Sequence, residues 1–170
     1  MKARQMTATE GFSVFLQTAR DYCDFIEDIN RYSEVAFFES ALKHLLTLYT
    51  NAQSLELVEV TFDSDFSPLL TKDNIREVRM QLSNIIDSRY YWHVFDPSEQ
   101  VDINPVCGDI VDDLEDIYWD LKNAIMLYDK GSEEEVESAL WDFKFLFDNH
   151  WGDHCMNAQY AIHHIYKHLV

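Results

Sequence analysis

Apolar positions recur at helical spacing along most of the chain. Thr7 and Glu10 read as a capping box ahead of Phe12, Leu16, Ala19, Cys23, Ile26 and Ile29, which predicts a first helix over about 8–31. Ser33 is the expected cap of a second helix, whose stripe runs Val35, Phe38, Leu42, Leu45 and Tyr49, and the two should form an antiparallel hairpin. The segment SLELVEVTFDSDFSPLL breaks this period. Its β-formers Leu57, Val58, Val60 and Phe62 and its closing Pro68 predict a short extended piece or a loop folded over the bundle. Thr71 caps a third predicted helix with Ile75, Val78, Leu82, Ile85 and Ile86 on one face.

YYWHVFDP comes next, and Pro97 and Pro105 bracket the longest irregular connection. Its aromatic cluster of Tyr90, Tyr91, Trp92 and Phe95 is expected to pack as core beneath that connection. A fourth helix is predicted from about 108 to 129, with Ile110, Leu114, Ile117, Leu121, Ile125 and Tyr128 inward and Gly131 as its stop. Ser132 and Glu135 form a capping box for a fifth, which carries Val136, Leu140, Phe143 and Phe147 inward and runs on toward Val170. Gly152 is the one place near which that helix could be broken. The pattern predicts an all-α fold: one domain over 1–170, a bundle of five to six helices with a long C-terminal helix.

Composition supports this reading. Four Gly and three Pro in 170 residues leave little of the turn punctuation that many short strands need. Asp and Glu number 31 against 13 Lys and Arg, a formal charge of −18, which repels phosphate backbones and anionic membrane surfaces. No direct nucleic-acid binding and no membrane association are expected. An apolar signal region is missing, as is any hydrophobic run of spanning length, so the chain reads as cytoplasmic. Cys23, Cys107 and Cys155 are odd in number and far apart, and are expected to be reduced thiols serving as small buried hydrophobes. The 14% aromatic content sets the chain apart from a disordered acidic tail. Its charge is also uneven. Residues 1–89 hold 14 acids and 9 bases, residues 90–170 hold 17 and 4, and no Lys or Arg lies between Arg89 and Lys122.

Two segments could carry chemistry. In DIVDDLEDIYWDLK, at 100° per residue, Asp113 and Asp120 fall at the edge of the buried arc, Asp109 and Asp116 just beyond it, and Asp112 points outward. Like charges one turn apart destabilise a helix by some tenths of a kcal/mol, so compensation should lie opposite. In HWGDH, His150 and His154 continue the inward line of Phe143 and Phe147, whereas His164 and His168 fall at the margin of the apolar stripe. Three readings stay open for the pair: a clamp of His–Asp hydrogen bonds to the fourth helix, a divalent metal such as Zn, Mn or Fe, and solvent-exposed rings. The metal candidates are Asp113, Asp116, Asp120, His150 and His154. The pair lacks the glutamate of H-E-x-x-H, which supplies the general base of zinc proteases. Trp119, opposite the inward stripe, and Asp112 suggest a partner surface or a pocket rim.

YYWHVFDP, DDLEDIYWDLK and LWDFKFLFDNHWGDH together resemble a bacterial family of helical proteins known as a domain of unknown function. The likeness falls on Asp96 and Pro97, on Asp112, Asp113, Asp116 and Asp120, and on His150, Trp151, Gly152 and His154. It departs from the family's pattern at Trp119 and Asn123, where Arg and Gly are more usual; the first change removes a cation from the acidic flank. The resemblance implies an all-α fold and a shared Asp/His constellation, and no activity. Without a nucleophile–base pair, a phosphate-cradling glycine loop or a complete metal signature, the leading expectation is a small non-catalytic protein that binds an unidentified protein partner and uses the Asp/His set architecturally. The runner-up is a divalent-metal protein or metal-dependent hydrolase built on His150, His154 and two of Asp113, Asp116 and Asp120. Third is an acidic decoy for a basic partner, suggested by net charge alone.

Overall fold

A computed structural model of the chain describes residues 3–62, 66–94, 98 and 104–170. Phe95, Asp96 and Pro97 lie outside the described residues. After a short helical turn at Ala3–Met6 come α1 (Glu10–Glu27), a 3₁₀ turn (Ile29–Arg31), α2 (Glu34–Ala52) and α3 (Lys72–Ile85). Strands β1 (Tyr90–His93) and β2 (Val106–Asp109) lead into α4 (Ile110–Lys130), α5 (Glu133–Leu146), a π-helical turn (Phe147–Trp151) and α6 (Gly152–Tyr166). The fold is an all-α bundle with one small two-stranded sheet, and α5, the π turn and α6 form its long C-terminal helix. No helix among the described residues is long and apolar enough to cross a membrane.

Local chemistry sets most of the helix ends. Ser33 accepts from the Ala36 amide, Thr71 and Asn74 form a capping box, and so do Ser132 and Glu135. Gly131 ends α4 at φ 82°, a left-handed conformation that costs glycine little. The first helix differs from expectation. Thr9, not Thr7, is its cap, accepting from the Phe12 amide, and the preceding turn forms a separate helical piece. The segment after α2 is a loop that buries Leu55 and Val58, and it is tied down by Glu137 of α5, whose carboxylate accepts from the Thr61 and Phe62 amides and the Thr61 hydroxyl.

α4 is the axis of the bundle, packed against α1, α3, α5 and α6. It buries Ile110, Leu114, Ile117, Leu121 and Ile125 as the sequence predicts. Phe15 lies edge-on to Phe143 and stacks with Trp151, and the Tyr22 hydroxyl donates to the Leu114 carbonyl at 2.9 Å. Cys23 and Cys155 are buried as expected, and burial pushes the Cys155 thiol up to about 12. Cys107 departs from that expectation: it is exposed, because β2 runs along the surface.

Two further corrections shape the site. Two members of the aromatic cluster are not core: Tyr90 and Trp92 are 67% and 69% exposed, because period-two alternation in β1 turns them to one face and Tyr91, which packs against the core, and His93 to the other. Nor does the C-terminal helix break at Gly152, which has helical angles. The irregularity is the π turn before it. One extra residue in a helical turn rotates the remainder of the helix by about 100°. Trp151, Cys155, Ala158 and Ile162 thereby take over the buried line from Phe143 and Phe147, and His150 and His154 move from the predicted centre of that line to its flank, beside α4.

Candidate metal centre

That rotation aims both imidazoles at α4. His150 Nδ1 lies 2.6 Å from Asp120 Oδ2, and His154 Nδ1 lies 2.8 Å from Asp113 Oδ1. Asp120 and Asp113 are seven residues apart, two turns of one helix, and they meet histidines one turn apart on its neighbour. An ionised carboxylate only accepts, so a ring nitrogen that faces one carries a proton, and in the neutral ring that arrangement leaves the lone pair on Nε2. His154 Nε2 is 3.5 Å from Asp116 Oδ2, and the two imidazole rings meet edge to face with centroids 4.8 Å apart. One ligand atom from each of Asp116, His150 and His154 falls within 4.8 Å of the other two. These three can share an ion. The 3.5 Å separation already matches adjacent ligands of a tetrahedral ion with bonds of about 2.0–2.2 Å.

The five candidates therefore divide by role. Ligand atoms of Asp116, His150 and His154 converge, whereas Asp113 and Asp120, also proposed as ligands from the sequence, each meet a histidine Nδ1. Asp113 and Asp120 are nearly buried, whereas the Asp116 and His150 side chains keep 41% and 43% of their exposure, enough for an ion to enter. Burial pushes the Asp116 and Asp120 carboxyls above their ordinary range, although the histidines pull both back. At His154 burial works against the charged ring, but the Asp113 hydrogen bond and the surrounding carboxylates outweigh it and raise its pKa.

The donors open onto a cleft of about 660 Å³ between α4, α6 and the β1–β2 hairpin. Tyr91 and His93 line it from β1, and Asp153 and Asn157 from α6. Tyr91 donates to Asp113 Oδ2 at 2.6 Å. Asp109, at the end of β2, caps α4 through the Val111 amide and pairs with Arg89. Asp112 does not point freely outward: Arg79 of α3 pairs with it and, at 2.5 Å, with the nearly buried Glu115. Arg79 thus supplies the compensation that Trp119 cannot. Trp119 is half-buried and borders two smaller pockets, one with Asn123 and Asp142, the other with Lys72 and Glu115. Asn123 itself accepts from the Leu69 and Leu70 amides. Tyr91, Arg79 and Glu115 were missed in the sequence; the available signal for Tyr91 was the alternation of YYWH, which four residues carry weakly.

The fold matches the crystal structure of protein BF1032 from Bacteroides fragilis with a TM-score of 0.81, over 94% of each chain, at 24% identity. At that identity the likeness carries the fold alone. A search of curated proteins gave no match. Residues 7–168 match the family described as Domain of unknown function (DUF5063), and the chain belongs to that family.

Proposed function

We propose that this protein binds a divalent transition metal, zinc being the best fit, through His150, His154 and Asp116. The carrying observation is that both histidines spend Nδ1 on a buried carboxylate, that His154 Nε2 lies 3.5 Å from Asp116, and that one ligand atom from each of the three falls within 4.8 Å of the others. Carboxylates in this position fix ring orientation and raise ligand basicity at metal centres. A clamp alone has no need of a third carboxylate converging on the same two rings.

Three protein donors beside an open cleft leave a coordination position for water or substrate, the pattern of catalytic rather than structural zinc. The metal would supply Lewis acidity and a water acidic enough to attack at neutral pH. This supports metal-dependent hydrolysis as the reaction class. The cleft's charge narrows the substrate. The cleft's described lining includes Asp109, Asp112, Asp113, Asp116 and Asp153 with Arg79, which is itself held by Asp112 and Glu115, while Arg89 pairs with Asp109. Even with a divalent ion the walls stay negative, which disfavours phosphoesters and favours a neutral or cationic substrate.

A second reading, binding of a protein partner, is favoured by exposed Tyr90 and Trp92 on the outer face of the hairpin. The two readings use opposite faces of β1. Titration of untagged, metal-stripped protein with zinc should give one site, abolished in His150→Ala/His154→Ala and weakened at least tenfold in Asp116→Asn. Zinc uptake unchanged by these substitutions would overturn the assignment.

A further inference from the structure

The metal reading does not explain why a helical protein interrupts itself with a two-stranded hairpin. Tyr91 pairs in register with Gly108 across that hairpin. A β-carbon on residue 108 would lie 2.3 Å from Tyr91 Cζ and 2.7 Å from its hydroxyl oxygen, so the phenol ring rests directly on the glycine. Any side chain there would lift the ring. From that seat the Tyr91 hydroxyl reaches Asp113 Oδ2 at 2.6 Å, and Asp113 offers its other oxygen to His154 Nδ1 at 2.8 Å. Asp113 is 4% exposed, so its orientation is set by these two partners rather than by water.

Resting on the metal reading above, we propose that the hairpin is a positioning element of the metal centre, in which Gly108 seats Tyr91, Tyr91 holds Asp113, and Asp113 aims His154 Nε2 at the ion. Tyr91 acts on the ion through Asp113 rather than as a ligand. The chain Gly108, Tyr91, Asp113, His154 is one linkage, so cutting it at either of its first two members removes the same thing.

The test uses Tyr91→Phe, which keeps the ring and loses the hydroxyl, Gly108→Ala, which keeps the hydroxyl and displaces the ring, the double variant, and Tyr90→Phe on the outer face as control. Zinc affinity is measured by chelator competition and the ligand field by the visible spectrum of the cobalt(II) form, with thermal unfolding of the metal-free proteins alongside. Each single substitution should weaken zinc binding about 10–100-fold and alter the cobalt spectrum, the double should fall within about twofold of the weaker single, and Tyr90→Phe should match the parent. Should Gly108→Ala fail to fold, Tyr91→Phe alone decides. Parent-like zinc affinity and an unchanged cobalt spectrum in Tyr91→Phe overturn the positioning role while leaving the metal centre standing. A parent protein that takes up no zinc overturns both.

Discussion

Single carboxylates in this protein are controlled by what faces them. Arg79 divides its guanidinium between Asp112 and the nearly buried Glu115, and so answers the repulsion along one flank of α4. Glu137 sits buried yet keeps its charge: burial would raise its pKa, but bonds from Thr61 and Phe62 hold it below the ordinary carboxylate range. Asp142 is the contrasting case. It borders a small pocket with Trp119 and Asn123, and burial, with Asp120 nearby, pushes its pKa up to about 6. Its folded value lies above its unfolded one, so the fold favours the protonated acid; that stability is full below the unfolded value and is lost as pH rises through about 6. Asp142→Asn should therefore change stability little at pH 4 and raise it by on the order of 2 kcal/mol at pH 8, after discounting for partial exposure. Urea unfolding at the two pH values checks this. An equal gain at both would mean that titration of Asp142 is not the cause.

At the scale of elements, the π turn is what converts a run of inward positions into a site. Gly152 makes it possible: a β-carbon there would lie 2.1 Å from the Phe147 carbonyl oxygen, backbone that cannot step aside. Gly152→Ala should cost about 1–3 kcal/mol in urea unfolding and weaken zinc binding as well, because relieving the clash unwinds the turn that places His150. Unchanged stability would show that the turn accommodates a methyl group. The helices themselves were legible because caps and apolar stripes are local signals: Ser33, Thr71, Gly131 and Ser132 each act where the sequence places them. The hairpin was not, since Tyr90 and Trp92 are large apolar residues on an exposed face, and hydrophobicity alone reads them as core. The five Asp/His candidates were legible as a group. Which of them pair and which converge was not, because ideal 100° stepping carries through Phe147–Trp151 where the backbone takes one residue more.

Over the whole molecule, the excess of acids is concentrated in the second half of the chain. Residues 90–170 carry 17 acids against 4 bases, and α4 draws its compensation from other elements: Arg79 from α3, Arg89 from before β1, and two imidazoles from the π turn and α6. Among the described residues, Asp116 and Asp153 line the cleft with no ion pair to a Lys or Arg. A divalent cation is the simplest group that neutralises charge there while using both free imidazole nitrogens. The most direct measurement is anomalous diffraction, above and below the zinc absorption edge, from crystals of untagged protein grown with zinc. One peak is predicted about 2.0–2.2 Å from Nε2 of His150, Nε2 of His154 and a carboxylate oxygen of Asp116, with Asp113 and Asp120 outside bonding distance. A cleft without such a peak, or a peak bonded to other residues, would contradict the account.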